Sequence, residues 1–209
     1  MVRAFIFSLV ILISLSSSAQ NFEGKIIYRN TYKSKSSKIT NEQLANMLGS
    51  MQQYFVKGGD YKSISYGTLG EWQLYINSEN RLYNKKPDSE VLLWNDGSIY
   101  DDPVLNVKIN KNVTEILGYK CDELVMTCKS GVQKYYFSSL LGVNQLLYEK
   151  HKYGNYDEYT SQAKALPLKL VIETKMFIME SVATEVYAES LGNEIFTLPA
   201  DVKTAKSTF

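Results

Sequence analysis

His151 is the single histidine in the 209-residue chain, so any chemistry that needs an imidazole must run through it. A serine nucleophile would also require an elbow such as Gly-x-Ser-x-Gly to present its hydroxyl, and the chain has none. Zinc needs several nitrogen or sulfur ligands, which one histidine and two cysteines on opposite faces of a strand cannot assemble. Asp96, Asp101 and Asp102 lack the regular oxygen-ligand spacing of a calcium loop, and a turn at Asp96-Gly97 accounts for the first of them. Gly58-Gly59 has neither the spacing nor the following lysine of a phosphate loop. Glu71, Glu90, Glu123 and Glu180 fall on separate predicted strands, so a carboxylate pair could arise only from the tertiary fold. Asn112-Val113-Thr114 is a glycosylation sequon, meaningful only in a glycosylating pathway. The expectation is a protein that is not an enzyme, with no catalytic residue, no metal and no cofactor.

Cys121 and Cys128 are the two cysteines. On one straight strand, seven steps of about 3.3 Å put them roughly 23 Å apart, and their odd spacing points them to opposite faces. A disulfide needs alpha carbons within about 7 Å. Two separate, buried thiols are expected; a bulge or turn between them is the alternative that would let them meet.

The elements that must position these groups read as strands. Thr114–Phe137 forms two arms of period-two alternation around a turn at Lys129-Ser130-Gly131, and one hairpin cannot bury both its faces alone. Phe22–Tyr32 alternates as a long, half-buried first strand. Thr40 followed by Gln43 fits a capping box, with Leu44, Met47, Leu48 and Met51 recurring at helical spacing; such a stripe ordinarily packs on a sheet. Further strands are predicted at 53–57, 60–66, 71–76, 80–85, 90–95, 98–100, 107–117, 168–173, 176–188 and 194–198, with a hairpin at Gly58-Gly59. Residues 138–165, rich in tyrosine and holding His151, read as a long connection with one or two short helices. The fold class expected is mainly β with minor α: a curved antiparallel sheet or incomplete β-barrel of about eleven strands with one early amphipathic helix. A sheet of that many strands curls or folds over.

Residues 1–19 combine Arg3, an apolar run over 4–15 and Ser17-Ser18-Ala19, the anatomy of a signal peptide cleaved after Ala19; the run is short for a membrane span. No cysteine follows the cut to take a lipid anchor. The expectation is a soluble periplasmic or secreted protein with no transmembrane segment after cleavage, and a single domain over 20–209. Without Arg3, the basic residues equal the 22 acidic ones, so the footprint expected of a nucleic-acid or anionic-membrane binder is missing. Sixteen tyrosines, eight phenylalanines and two tryptophans remain to be explained. Tyrosine suits the half-exposed surface of a sheet; alternatively, a curled sheet leaves a concave apolar pocket able to take a lipid chain.

Phe22-Glu23-Gly24-Lys25-Ile26, the run Glu-Ile-Leu-Gly-Tyr-Lys-Cys at 115–121 and Phe-Thr-Leu-Pro-Ala-Asp at 196–201, together with the signal peptide and early helix, resemble secreted bacterial proteins akin to the LolA-like lipoprotein-carrier superfamily. The resemblance spans nearly all of 20–209. It implies an incomplete, strongly curved barrel, its mouth covered by helices and its apolar hollow sheltering acyl chains in the periplasm. Neither Arg29 nor Arg81 is matched to the lid-holding arginine of such carriers, and no site residue is carried over. The residues expected to line the hollow are Phe22, Ile26, Tyr28, Leu44, Leu48, Trp72, Leu74, Leu124 and Met126. The ligand expected is a lipid or lipoprotein acyl chain. The alternative is an envelope structural or interaction module that meets a protein partner through an edge strand or the tyrosines of 148–159.

Overall fold

The structure, a computed structural model, describes residues 21–208; the proposed signal peptide, 1–19, lies outside them. Among the described residues the chain forms one twelve-stranded sheet. Its elements in chain order are β1 (Gly24–Ser34), α1 (Asn41–Leu48), β2 (Met51–Lys57), β3 (Asp60–Ser65), β4 (Trp72–Ile76), β5 (Arg81–Lys85), β6 (Val91–Asp96) and β7 (Val104–Ile116). They continue as β8 (Tyr119–Cys128), β9 (Val132–Gly142), α2 (Tyr156–Ala163), β10 (Ala165–Glu173), β11 (Phe177–Ala188) and β12 (Lys203–Lys206). The strand order is β12-β6-β5-β4-β3-β2-β1-β11-β10-β9-β8-β7, antiparallel throughout except for β12, which runs parallel to β6.

Pairing register sorts the side chains into two faces. Ile26, Tyr54, Ser63, Gln73, Asn84 and Leu93 stand in one row across β1 to β6. On the other side of β1, Asn30 is level with Ser181, Leu170, Tyr135, Leu124 and Ile109. Because side chains alternate strictly along a strand, these rows share the inner face. The sheet curls so far that Leu93 and Asn95 of β6 border the same hollow as Leu170 and Ile172 of β10. Gly24 leaves no room for a side chain against β11: a Cβ there would lie 2.0 Å from the Tyr187 carbonyl oxygen, and its φ of +149° disfavours any side chain.

The outer face has its own apolar cover. Leu74, Tyr83 and Leu92 are buried beneath Leu191 and beneath Phe196, the last residue of a 3-10 turn at Asn193–Phe196, before the chain returns as β12. The strand expected at 194–198 is therefore this 3-10 turn, whose side chains pack onto the sheet without pairing in it. No strand forms at 98–100: Asp96 accepts hydrogen bonds from the Ser98 backbone and hydroxyl, and ends β6 in a turn. The expected capping box is present at α1. Thr40 Oγ1 accepts from Gln43 N at 3.1 Å, Gln43 Oε1 accepts from Thr40 N at 2.8 Å, and such a cap stabilises a helix by about 1 kcal/mol. Met51 belongs to β2 and not to the helix stripe. No helix of the described residues is long and apolar enough to cross a membrane.

Candidate functional site

One half of the curved sheet is filled by the chain itself. Between β9 and β10 the backbone makes a long excursion, closed at its base by Val143 N–H donating to the Lys164 carbonyl at 2.9 Å. It carries a 3-10 turn at Gln145–Tyr148, His151, a second 3-10 turn at Tyr153–Asn155 and then α2. Left-handed backbone at Asn155 and Lys164 brackets α2 and turns the chain sharply at both ends. Tyr148, His151 and Tyr159 are buried, and Tyr156 is half-buried. The tyrosines expected to face a partner instead enter the core, because four aromatic rings can leave water there and still hydrogen-bond at their tips.

The stacking is continuous. Tyr61 lies between Tyr54, Tyr75 and Tyr156, each 5.3 Å away, and His151 stacks on Tyr75 at 4.0 Å. Tyr159 stacks on Tyr135 at 4.1 Å. The ring tips are hydrogen-bonded: Tyr61 to His151 Nε2 at 2.8 Å, Tyr54 to Tyr156 at 2.8 Å, and Tyr159 donating to the Ala165 carbonyl at 2.8 Å, while His151 Nδ1 has no partner. Burial pushes the Tyr54, Tyr61, Tyr148, Tyr156 and Tyr159 hydroxyls well above the usual range and pushes His151 down to about 3. His151 is thus a neutral core residue, and no described carboxylate or hydroxyl nucleophile is hydrogen-bonded to it in a triad arrangement. No group of three or more described histidines, cysteines, aspartates or glutamates is arranged to hold a metal. Cys121 and Cys128 are buried, unbridged thiols in different core clusters.

The other half of the sheet, beneath α1, is open. A hollow of about 540 Å³ lies there, within the range of small-ligand sites. One wall is apolar and half-buried: Leu170 and Ile172 of β10, Phe177 and Met179 of β11, and Leu48 of α1. The facing wall is mostly polar: Gln52, Ser63, Gln73, Asn84 and Asn95 from β2 to β6, with Leu93 among them and Lys85 and Lys86 at the end of β5. Asn30 and Tyr32, both buried, form the floor and hydrogen-bond to the Gly49 carbonyl that ends α1.

The nine residues singled out from the sequence do not share one hollow. Phe22, Ile26 and Tyr28 lie beneath the inserted segment in one core cluster, and Leu124 and Met126 pack with Tyr159 and Ala163 in another. Leu44 is buried under α1, while Leu48 and Trp72 border the open hollow. Leu74 is a correction of face: its register neighbours Lys62 and Tyr83 point outward, and it packs beneath Leu191 and Phe196. Trp72 follows the same parity: it reaches the rim of the hollow, but it packs against the outer cluster, with the Lys62 ammonium 5.0 Å above its ring. Sequence reasoning missed Leu170, Ile172, Phe177 and Met179. Alternation in β10 and β11 was visible, but only the pairing of β11 with β1 brings that alternation to the hollow.

No protein-family model matches the sequence, and no curated protein matches it. Among solved structures, the chain is similar to PNGF-II, solved in the P21 space group, at 13% identity and a TM-score of 0.52, over 89% of this chain and 32% of that one. LprF from Mycobacterium bovis aligns at 9% identity and a TM-score of 0.30, over 81% of this chain and 88% of that one. The chain spans about a third of the PNGF-II length, and what the two have in common is a fold.

Proposed function

We propose that this chain is a non-enzymatic, exported binding protein that holds an apolar ligand, a lipid or the acyl part of a lipoprotein, in the open half of its curved sheet. The observation that carries the reading is the incomplete filling of the inner face. The segment 143–164 occupies one half, and the wall of Leu170, Ile172, Phe177 and Met179 in the other is left half-buried beside a hollow of about 540 Å³. Covering apolar surface is favourable by about 25 cal/mol per Å², so an acyl chain lying on that wall is drawn in without any directed chemistry. The basic start and apolar run of 1–19 support export, and the LolA-like resemblance supports the choice of an acyl ligand.

Native mass spectrometry and solvent extraction of the purified protein test the proposal. A co-purifying lipid is expected, and Ile172→Glu is expected to lose it while the protein stays folded, because Ile172 is only half-buried. A protein that yields no lipid, and takes up no fluorescent fatty acid after delipidation, overturns the reading.

A further inference from the structure

We propose that the open hollow takes an amphiphile with an anionic head, an alkyl chain ending in a carboxylate, and that Lys86 selects the head; this rests on the reading of the hollow as an apolar-ligand site. Of the residues that line the hollow, only Lys85 and Lys86 carry a charge, and both are positive. The two lysines play different parts. The Lys85 ammonium donates to the Lys86 and Ser89 carbonyls at 3.0 and 2.9 Å and lies 3.6 Å from Glu71, so it is spent in holding the turn after β5. Ser89 N–H closes the same turn on the Lys86 carbonyl at 3.3 Å. The Lys86 ammonium, in contrast, forms no ion pair and no hydrogen bond among the described residues. Asp88 and Glu90 stand close by in the chain, but they are exposed and do not line the hollow.

Register puts Lys86 at the mouth. Lys85 is level with Trp72, at the end of the sheet where β11 begins with Phe177 level with Ser34. From that end the apolar wall runs inward: Phe177 first, then Ile172 level with Met179, and Leu170 deepest. A tail laid along this wall leaves its head at the mouth, beside Lys86 and still in water. A carboxylate that stays hydrated there avoids the desolvation that burying a charge costs. Two ammonium groups at the mouth repel a cationic head, and a neutral head gains nothing from them. The rest of the polar wall does not discriminate. The Gln52 and Gln73 amide nitrogens are engaged by Ser63 and Asn84, and the unengaged Asn95 amide, deeper in the hollow, offers a donor and an acceptor alike.

The test uses the delipidated full chain at pH 8 and low ionic strength, with three probes that share a twelve-carbon tail, each below its micellar concentration: dodecanoate, 1-dodecanoylglycerol and dodecyltrimethylammonium. Calorimetry is expected to show dodecanoate binding about three-fold more tightly than the glycerol ester, the increment of one exposed ion pair, and the cation binding most weakly. High salt is expected to erase that preference. Lys86→Gln should bring dodecanoate and the ester level, and Lys86→Glu should put dodecanoate below the ester. The ester's own affinity should stay unchanged in both variants, because the Lys86 side chain is exposed and holds nothing in the fold. A preference for dodecanoate that survives Lys86→Glu or high salt, equal binding of the three probes, or tighter binding of the ester or the cation overturns the head-group inference while the apolar site stands. Binding of none overturns the apolar site as well.

Discussion

The His151 imidazole lies flat against the Tyr75 ring, with 4.0 Å between centroids and 8° between planes. This contact ties the inserted segment to the sheet, since Tyr75 belongs to β4 and His151 to the excursion between β9 and β10. Its Nε2 is matched by Tyr61, and its Nδ1 faces no partner. A neutral ring can accept that arrangement; an imidazolium would leave a buried N–H donor and a charge without compensation.

Stability should therefore rise with pH across the histidine range. Burial pushes the folded pKa of His151 down to about 3, against 6.5 for the free side chain. Between those values the unfolded chain binds the proton and the folded chain does not, so stability falls as the medium is acidified, by at most about 1.4 kcal/mol per pH unit. Glu23, Asp96, Asp122, Glu123 and Glu173, whose carboxyls are held below their usual range, add their own loss only in more acidic solution. Urea titrations between pH 5 and pH 6.5 isolate the histidine. His151→Gln is expected to flatten the slope there, and an unchanged slope would show that His151 is not the group responsible.

Tyr159 is expected to contribute more to stability than any surface position. Its ring stacks on Tyr135 and meets Phe137 edge-on. Tyr159→Ala should cost about 3–5 kcal/mol through the cavity it leaves. Tyr159→Phe should cost only about 1 kcal/mol, for the hydrogen bond to the Ala165 carbonyl. Denaturant midpoints of the two variants give the comparison; near-equal losses would mean that the stacking contributes little.

Truncating the chain after Glu189 should uncover Leu74, Tyr83 and Leu92 on the outer face and remove β12 from the edge of β6. The shortened protein is expected to bind a hydrophobic dye in native buffer and to melt earlier. If it keeps the full melting temperature and stays dark with the dye, the outer cluster is not part of the cooperative core.

Both thiols should resist modification in the folded protein. Cys121 and Cys128 are buried, and burial raises both thiols, Cys128 to about 11, so little thiolate exists at neutral pH. Two equivalents are expected to react with Ellman's reagent in denaturant and none within minutes in native buffer. Rapid native labelling of either one would contradict its burial.

Much of the architecture was readable because strand alternation is a local property. The first strand, the Gly58-Gly59 hairpin, the turn at 129–131 and the Thr40–Gln43 cap follow from residues within a few positions of each other. What stayed hidden depends on distant pairing. Tyr148, His151, Tyr156 and Tyr159 are spaced as on one helix, but the backbone breaks into two 3-10 turns and α2 with left-handed residues at Gly154 and Asn155, so the spacing does not say whether they project outward or enter the sheet. Alternation divides the residues of β4 into two sets but does not say which set faces inward, and Leu74 was misassigned for that reason. Lys203–Lys206 is exposed at every position and shows no apolar alternation, so β12 is a strand by virtue of its pairing with β6 rather than its side chains.

The pairing of β1 with β11 joins strands from opposite ends of the chain, whereas β2 to β6 and β7 to β10 are each knit from near neighbours. Local pairings close quickly; distant ones wait on loop entropy. During folding, two half-sheets with raw edges must therefore coexist until that last seam zips shut. The hazard of misassembly is concentrated in that interval, and substitutions such as Gly24→Ala, which obstruct the seam, should slow productive folding more than any change within either half.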